Sequence, residues 1–143
     1  MRQVEDENVR VVIIDTLNGY LQSAIKEPAV LLQVRELISF LSRRQVVTLL
    51  TMTQHGILGP DMAAPVDLSF LADNVFLLRY FEAQGAIRKA LSVVKKRSGK
   101  HESTIRELIL KPGGVSVSEP LSDFTGVLTG TPVYAGASRP KGA

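Results

Sequence analysis

Cysteine is absent from the 143 residues, which excludes a disulfide framework, thiolate zinc sites and iron–sulfur ligation, and leaves a reducing cytoplasm as the expected compartment. Long apolar runs are missing as well. No stretch reaches the ~18–20 residues a membrane-spanning helix needs, so a cytoplasmic protein with no membrane attachment is expected. An excess of one charge is also lacking: 17 Lys and Arg stand against 14 Asp and Glu, a net +3, too little by itself to indicate a nucleic-acid binder. Internal repeats are absent. Residues 133–143, rich in small residues, Gly and Pro, carry so little pattern that a flexible tail is expected there.

What is present is apolar surface, 45% of the residues, enough for one domain of ordinary size with a buried core. Val9 to Ile14 is a nearly continuous run of mostly β-branched residues ending at Asp15, the pattern of a parallel strand buried on both faces. From Ala29 to Arg44, Leu31, Leu32, Val34, Leu37, Ile38 and Leu41 recur at helical spacing, with Arg35, Glu36, Arg43 and Arg44 off that stripe. Val46 to Met52 reads as a second strand, so the three segments form a βαβ unit with a right-handed crossover. Gly56, Gly59, Pro60 and Pro65 mark a loop, followed by a helical turn near Asp67 to Ala72. The pattern then changes. Asn74 to Phe81, Ile87 to Lys96, Ile105 to Lys111 and Val115 to Ser118 read as strands joined by connections too short for parallel crossovers, so this half is expected to be antiparallel.

Three groups of residues have chemistry to offer. Asp15 ends a parallel strand, where carboxylates face the ligand crevice of open α/β sheets and where nucleotide hydrolases hold magnesium; it is equally suited to cap the helix that follows. Between Arg88 and Lys111 lie eight basic residues (Arg88, Lys89, Lys95, Lys96, Arg97, Lys100, Arg106, Lys111) against Glu102 and Glu107, a local net of +6. Arg supplies a fork and Lys a point charge for phosphate oxygens, whereas an ordinary charge run is a solvated strand face. The crowding of Lys95, Lys96, Arg97, Lys100 and His101 at one strand end favours an anion site. Gln54 ends the second strand of the βαβ unit, within reach of a phosphate or an attacking water, or simply bonds its own loop. His55 has a structural role at least as plausible. Gly113 and Gly114 suit a hairpin turn, since no helix follows them.

The stretch Asp67-Leu-Ser-Phe-Leu-Ala-Asp-Asn-Val-Phe-Leu-Leu-Arg-Tyr-Phe-Glu82, then Lys95-Lys-Arg-Ser-Gly-Lys-His101, Ile105-Arg-Glu107 and Phe124-Thr-Gly-Val-Leu-Thr-Gly130, resembles the C-terminal half of KaiC-type ATPase domains. The resemblance runs from about Val9 to Pro132. It implies an α/β fold, a partial RecA-like P-loop NTPase core in which a parallel βαβ unit is followed by an antiparallel C-terminal β extension, over residues 1–132, with 133–143 as the tail. It implies ATP and Mg2+ as cofactors in the complete domain, with Asp15 as the Walker B aspartate. It further implies that Lys95, Arg97 and His101 reach across an interface toward ATP phosphates on a neighbouring subunit. The implied assembly is a homo-oligomeric ring, usually a hexamer, working in signal transduction or circadian timing with protein partners.

The sequence also departs from the family. No G-x-x-x-x-G-K-[ST] loop occurs among these residues, nor do the paired acidic residues that follow it, so the chain is not expected to hydrolyse ATP alone. A truncated chain or gene fragment and a natural pseudo-ATPase both account for that. Clock members phosphorylate themselves on adjacent Ser and Thr residues just upstream of Asp73; here the positions are Ser69 and Phe70, so half of the pair is missing and Ser69 serves equally well as a hydrogen-bonding or capping serine. Two rival readings stand beside the ATPase: a non-catalytic ring-assembly module, and nucleic-acid binding by the basic strip. The strip has little aromatic interleaving, which disfavours the latter. Losing the loop-bearing strand would leave strand edges and apolar surface open, so self-association is expected.

Overall fold

The computed structural model describes residues 7–19, 29–53 and 69–136. They fall into two compact units, one of residues 7–53 with 69–71, the other of 72–136.

In the first unit, β1 (Val11–Ile14) and β2 (Val47–Leu50) pair in parallel, Val11 opposite Val47 and Ile14 opposite Leu50. The crossover helix α1 (Ala29–Arg43) buries Val34 and Leu41. The helix ends by a Schellman arrangement: Gln45 adopts φ 58°, Gln45 N–H donates to Ser42 O at 2.9 Å, and Val46 N–H to Leu41 O at 3.0 Å. Val46 and Leu41 are both buried, and apolar contact commonly accompanies this cap. Leu17 and Val34 form a core against Ile14, Leu31, Ile38, Leu50, Met52 and Leu71. A 3-10 turn, Ser69–Leu71, closes the unit in sequence.

Strand β1 is not buried on both faces as its apolar run suggests. Its burial alternates, and Val11, Ile13, Val47 and Leu49, aligned by the parallel register, are each more than half exposed. The physical reason is that a helix covers only one side of a sheet, and no described element of this unit lies on the other.

The second unit is a four-stranded antiparallel sheet, ordered β3 (Asn74–Ala83), β4 (Ala86–Lys96), β5 (Arg106–Lys111), β6 (Gly114–Pro120). The expected short connections are there. Gln84 and Gly85 turn the β3–β4 hairpin with φ of 54° and 72°, the positive pair that a two-residue turn requires and that Gly accommodates without strain. One sheet face carries Phe81, Ala83 and Ala90, packed with buried Val127 and with Ile105, Leu121 and Phe124. The Phe81 and Phe124 rings meet edge to face, 5.8 Å between centroids. The cover is the segment that follows β6, where β7 (Phe124–Thr125) pairs with β8 (Val133–Tyr134). Its turn needs a glycine: a Cβ on Gly126 would lie 2.3 Å from Thr131 O, and Gly126 O accepts from Thr129 N–H and Thr131 N–H. The expected tail thus opens on a paired strand; its residues 137–143 lie outside the described ones. Phe76, Leu78, Ile87, Leu110 and Val115 are exposed on the sheet.

No helix among the described residues is long and apolar enough to cross a membrane.

Candidate functional site

Two sites can be built from these elements, one in each unit. The first lies at the C-terminal ends of β1 and β2. The parallel ladder continues past both strands, with Thr51 N–H donating to Ile14 O at 3.1 Å and Leu17 N–H to Thr51 O at 3.0 Å. Thr51 is therefore fixed from both sides of its backbone, and its hydroxyl donates to Asp15 Oδ1. The Asp15–Thr16 peptide bond is cis.

Asn18 ties the same strand ends together. Its Nδ2 donates to Thr53 O and its Oδ1 accepts from Thr53 N–H, both at 2.8 Å, so the side-chain amide imitates one more backbone rung. The Thr16 hydroxyl donates to Asn18 Oδ1 at 2.7 Å and accepts from Asn18 N–H at 3.1 Å. That last bond is the local capping contact for which Asp15 is also a candidate. Asp15 itself is exposed, one carboxylate oxygen held by Thr51. Thr51 and Asn18 escape a reading of the sequence, because their side chains meet residues 35 or 36 positions away. The one available signal is the run of small hydroxyl residues, Thr51 and Thr53, at the end of an apolar strand. Gln54 and His55 lie outside the described residues.

No group of three or more His, Asp or Glu side chains able to hold a metal occurs among the described residues. A single exposed carboxylate at a strand end fits magnesium, which keeps much of its water and is held by one or two carboxylates together with substrate phosphates. It does not fit zinc or calcium, which need a fuller set of protein ligands.

The second site is the end of β4 and the turn after it. Lys96 opposes Asn74 and Lys95 opposes Val75, and the backbone pairing runs one residue further, with Arg97 N–H donating to Asp73 O at 2.8 Å. Lys95 lies in the last two residues of β4, and Arg97 stands at the bend just past its end. Arg97 Nε lies 2.9 Å from Asp73 Oδ1. Lys96 Nζ donates across the turn to Lys100 O at 2.9 Å. His101 is exposed just beyond.

The far end of this turn is pinned by Glu102. Its carboxylate accepts from the Thr104 hydroxyl at 2.7 Å, from Thr104 N–H at 3.0 Å and from Arg106 at 2.9 Å. These donors, the Thr104 hydroxyl foremost, hold Glu102 down to about 2.

The eight basic residues are not one uniform strip. Arg88 pairs with Glu107 at 3.0 Å and Arg106 with Glu102 at 2.9 Å, while Lys89 lies over the Tyr80 ring at 5.8 Å. The exposed basic side chains Lys96, Arg97 and Lys100 cluster at this turn, with exposed His101 next to them and half-buried Lys95 beside, and Arg97 is itself paired with Asp73. Asp15 belongs to the first unit, and Lys95, Arg97 and His101 to the second. Ser69 opens the 3-10 turn and is exposed.

A family model described as "ATPase: KaiC" matches residues 1–122. The circadian clock protein KaiC3 of Synechocystis is 32% identical over 120 residues, covering 81% of this chain and 24% of that protein. The circadian clock oscillator protein KaiC of Thermostichus vulcanus is 25% identical over 130 residues, 91% of this chain and 25% of that protein. The KaiC of Synechococcus elongatus is 23% identical over the same length. The chain thus spans about a quarter of the length of these relatives.

Proposed function

The chain belongs to the KaiC ATPase family, and from that premise we propose that it contributes two parts of an ATP-handling ring: a magnesium-side carboxylate, Asp15, and a cationic loop, Lys95, Arg97 and His101, for phosphates of ATP held by a neighbouring subunit. The observation that carries this reading is the strand-end geometry. Asp15 leaves the C-terminal end of a parallel strand, the edge at which open α/β sheets bind ligands, with Thr51 fixing one of its oxygens.

Magnesium, when bound, neutralises charge on the β- and γ-phosphates. This chain's own residues orient and balance. Thr51 directs the Asp15 carboxylate, while Lys95 and Arg97 place positive charge, and His101 a ring N–H donor, where the transferred phosphoryl group becomes more negative. Such preorganised charge lowers the barrier only in the assembled site, which couples turnover to assembly. No phosphate-binding loop occurs in the sequence, so the chain by itself is inactive in this reading. A role in signalling or timing follows the names of the relatives. Ser69, exposed and next to Phe70, supports a single phosphosite rather than a pair.

A second reading has its own support. Val11, Ile13, Val47 and Leu49 leave an apolar sheet face uncovered, which favours a module whose work is association rather than catalysis.

Magnesium-ATP titration separates the two. The chain is titrated alone, then with the loop-bearing half of a KaiC ATPase domain, with Asp15→Asn alongside. Binding that appears only in the mixture and weakens with Asp15→Asn is the expected result. Association without nucleotide binding would leave the assembly reading, and tight binding by the chain alone would overturn the phosphate-loop argument.

A further inference from the structure

Arg97 does not stand open at the cationic loop, because a carboxylate already occupies it. Asp73 and Arg97 face each other one rung beyond the last β3–β4 pair, their backbones joined at 2.8 Å and their side chains at 2.9 Å. The backbone bond that continues the β3–β4 pairing sets the two residues side by side, so the hairpin itself brings this partnership together. Both side chains are more than 60% exposed. An ion pair of that kind is weakly held and exchanges readily with solvent or with another anion.

We propose that Asp73 is a latch on the cationic loop, an internal stand-in for phosphate that Arg97 must leave before it engages one. This rests on the reading of Lys95, Arg97 and His101 as phosphate ligands. The rest of the loop is held independently of the latch. Lys96 closes the turn onto Lys100 O, and Glu102 is fixed by Thr104 and Arg106. Exchange at Arg97 thus requires one side chain to move, with the turn left as it is. The guanidinium has five N–H donors, and an incoming phosphate offers more acceptor oxygens and more charge than one carboxylate. The latch sets a threshold: it keeps Arg97 paired when phosphate is absent and yields when a polyanion arrives.

The test is tripolyphosphate binding to the 143-residue chain, followed by calorimetry at low salt. Asp73→Asn removes the competing charge and is expected to tighten binding about threefold to fivefold, the value of one exposed ion pair. Asp73→Ser provides the same readout with a smaller side chain. Arg97→Gln weakens binding, and Asp73→Asn added to Arg97→Gln is expected to change nothing further, since the latch acts only through Arg97.

Unchanged or weakened binding in both Asp73 variants overturns the latch. So does an equal gain with and without Arg97, which would make Asp73 a general electrostatic background. If neither the unmodified chain nor any variant binds tripolyphosphate, the phosphate-site reading itself fails.

Discussion

The parallel pair and the antiparallel sheet solve the same problem, covering an apolar surface, with unequal means. Strands β3 to β6 are joined by hairpins, and the segment immediately after them folds back to supply Val127 and Phe124 to the core of that same unit. Strands β1 and β2 are four residues each, joined through a helix that covers one face and leaves Ile13 and Leu49 bare on the other. A parallel sheet is ordinarily covered on both sides, and two short strands are fewer than such a sheet needs. Local connection makes the antiparallel half self-sufficient among the described residues; crossover connection leaves the parallel half with one apolar face uncovered among them.

The largest expected effect tests the self-sufficient half. Phe81→Ala should destabilise it by about 3–5 kcal/mol, read as lost amide-exchange protection in β3 and β4. Protection lost equally in β1 and β2 would break the comparison. Asn18→Ala comes next: removing the side chain that bridges to Thr53 should cost about 1–2 kcal/mol, seen as faster exchange of the Thr53 amide.

A smaller effect is confined to the turn at Glu102. Its folded value is depressed to about 2 from 4.5, so the hold on Thr104 and Arg106 is complete above 4.5 and is lost as pH falls through about 2. The Thr104 amide signal should titrate near 2, and a midpoint near 4.5 would show that the hydrogen bonds do not persist in solution. The smallest effect is at the bare face. Ile13→Thr should change stability by no more than about 0.5 kcal/mol, and a loss of several times that would show the face to be covered.

The elements themselves are legible in the sequence. The helical stripe from Leu31 to Leu41, the apolar runs before Asp15 and after Val46, and the short connection between the runs Asn74 to Phe81 and Ile87 to Lys96 each depend on near neighbours, and the structure places them where the periodicity does. Asp15 is legible for the same reason, since a carboxylate ending an apolar run has a defined position in a sheet. What surrounds it is not. Thr51 reaches Asp15, and Asn18 reaches Thr53, only because the parallel register aligns two strand ends. Asp73 meets Arg97 only because β3 and β4 pair one rung further than their apolar pattern extends. The bare face of β1 escapes the sequence because a continuous apolar run records what a strand is suited to, not what covers it.

Asn18 is followed by Gly19, the neighbour that least obstructs attack of the backbone nitrogen on an asparagine side chain. Hydrolytic loss of that amide would convert the donor facing Thr53 O into a second acceptor, and the bridge between the strand ends would become a repulsion. Such a change would fall beside Asp15, in one functional group, and no sequencing of the gene would reveal it.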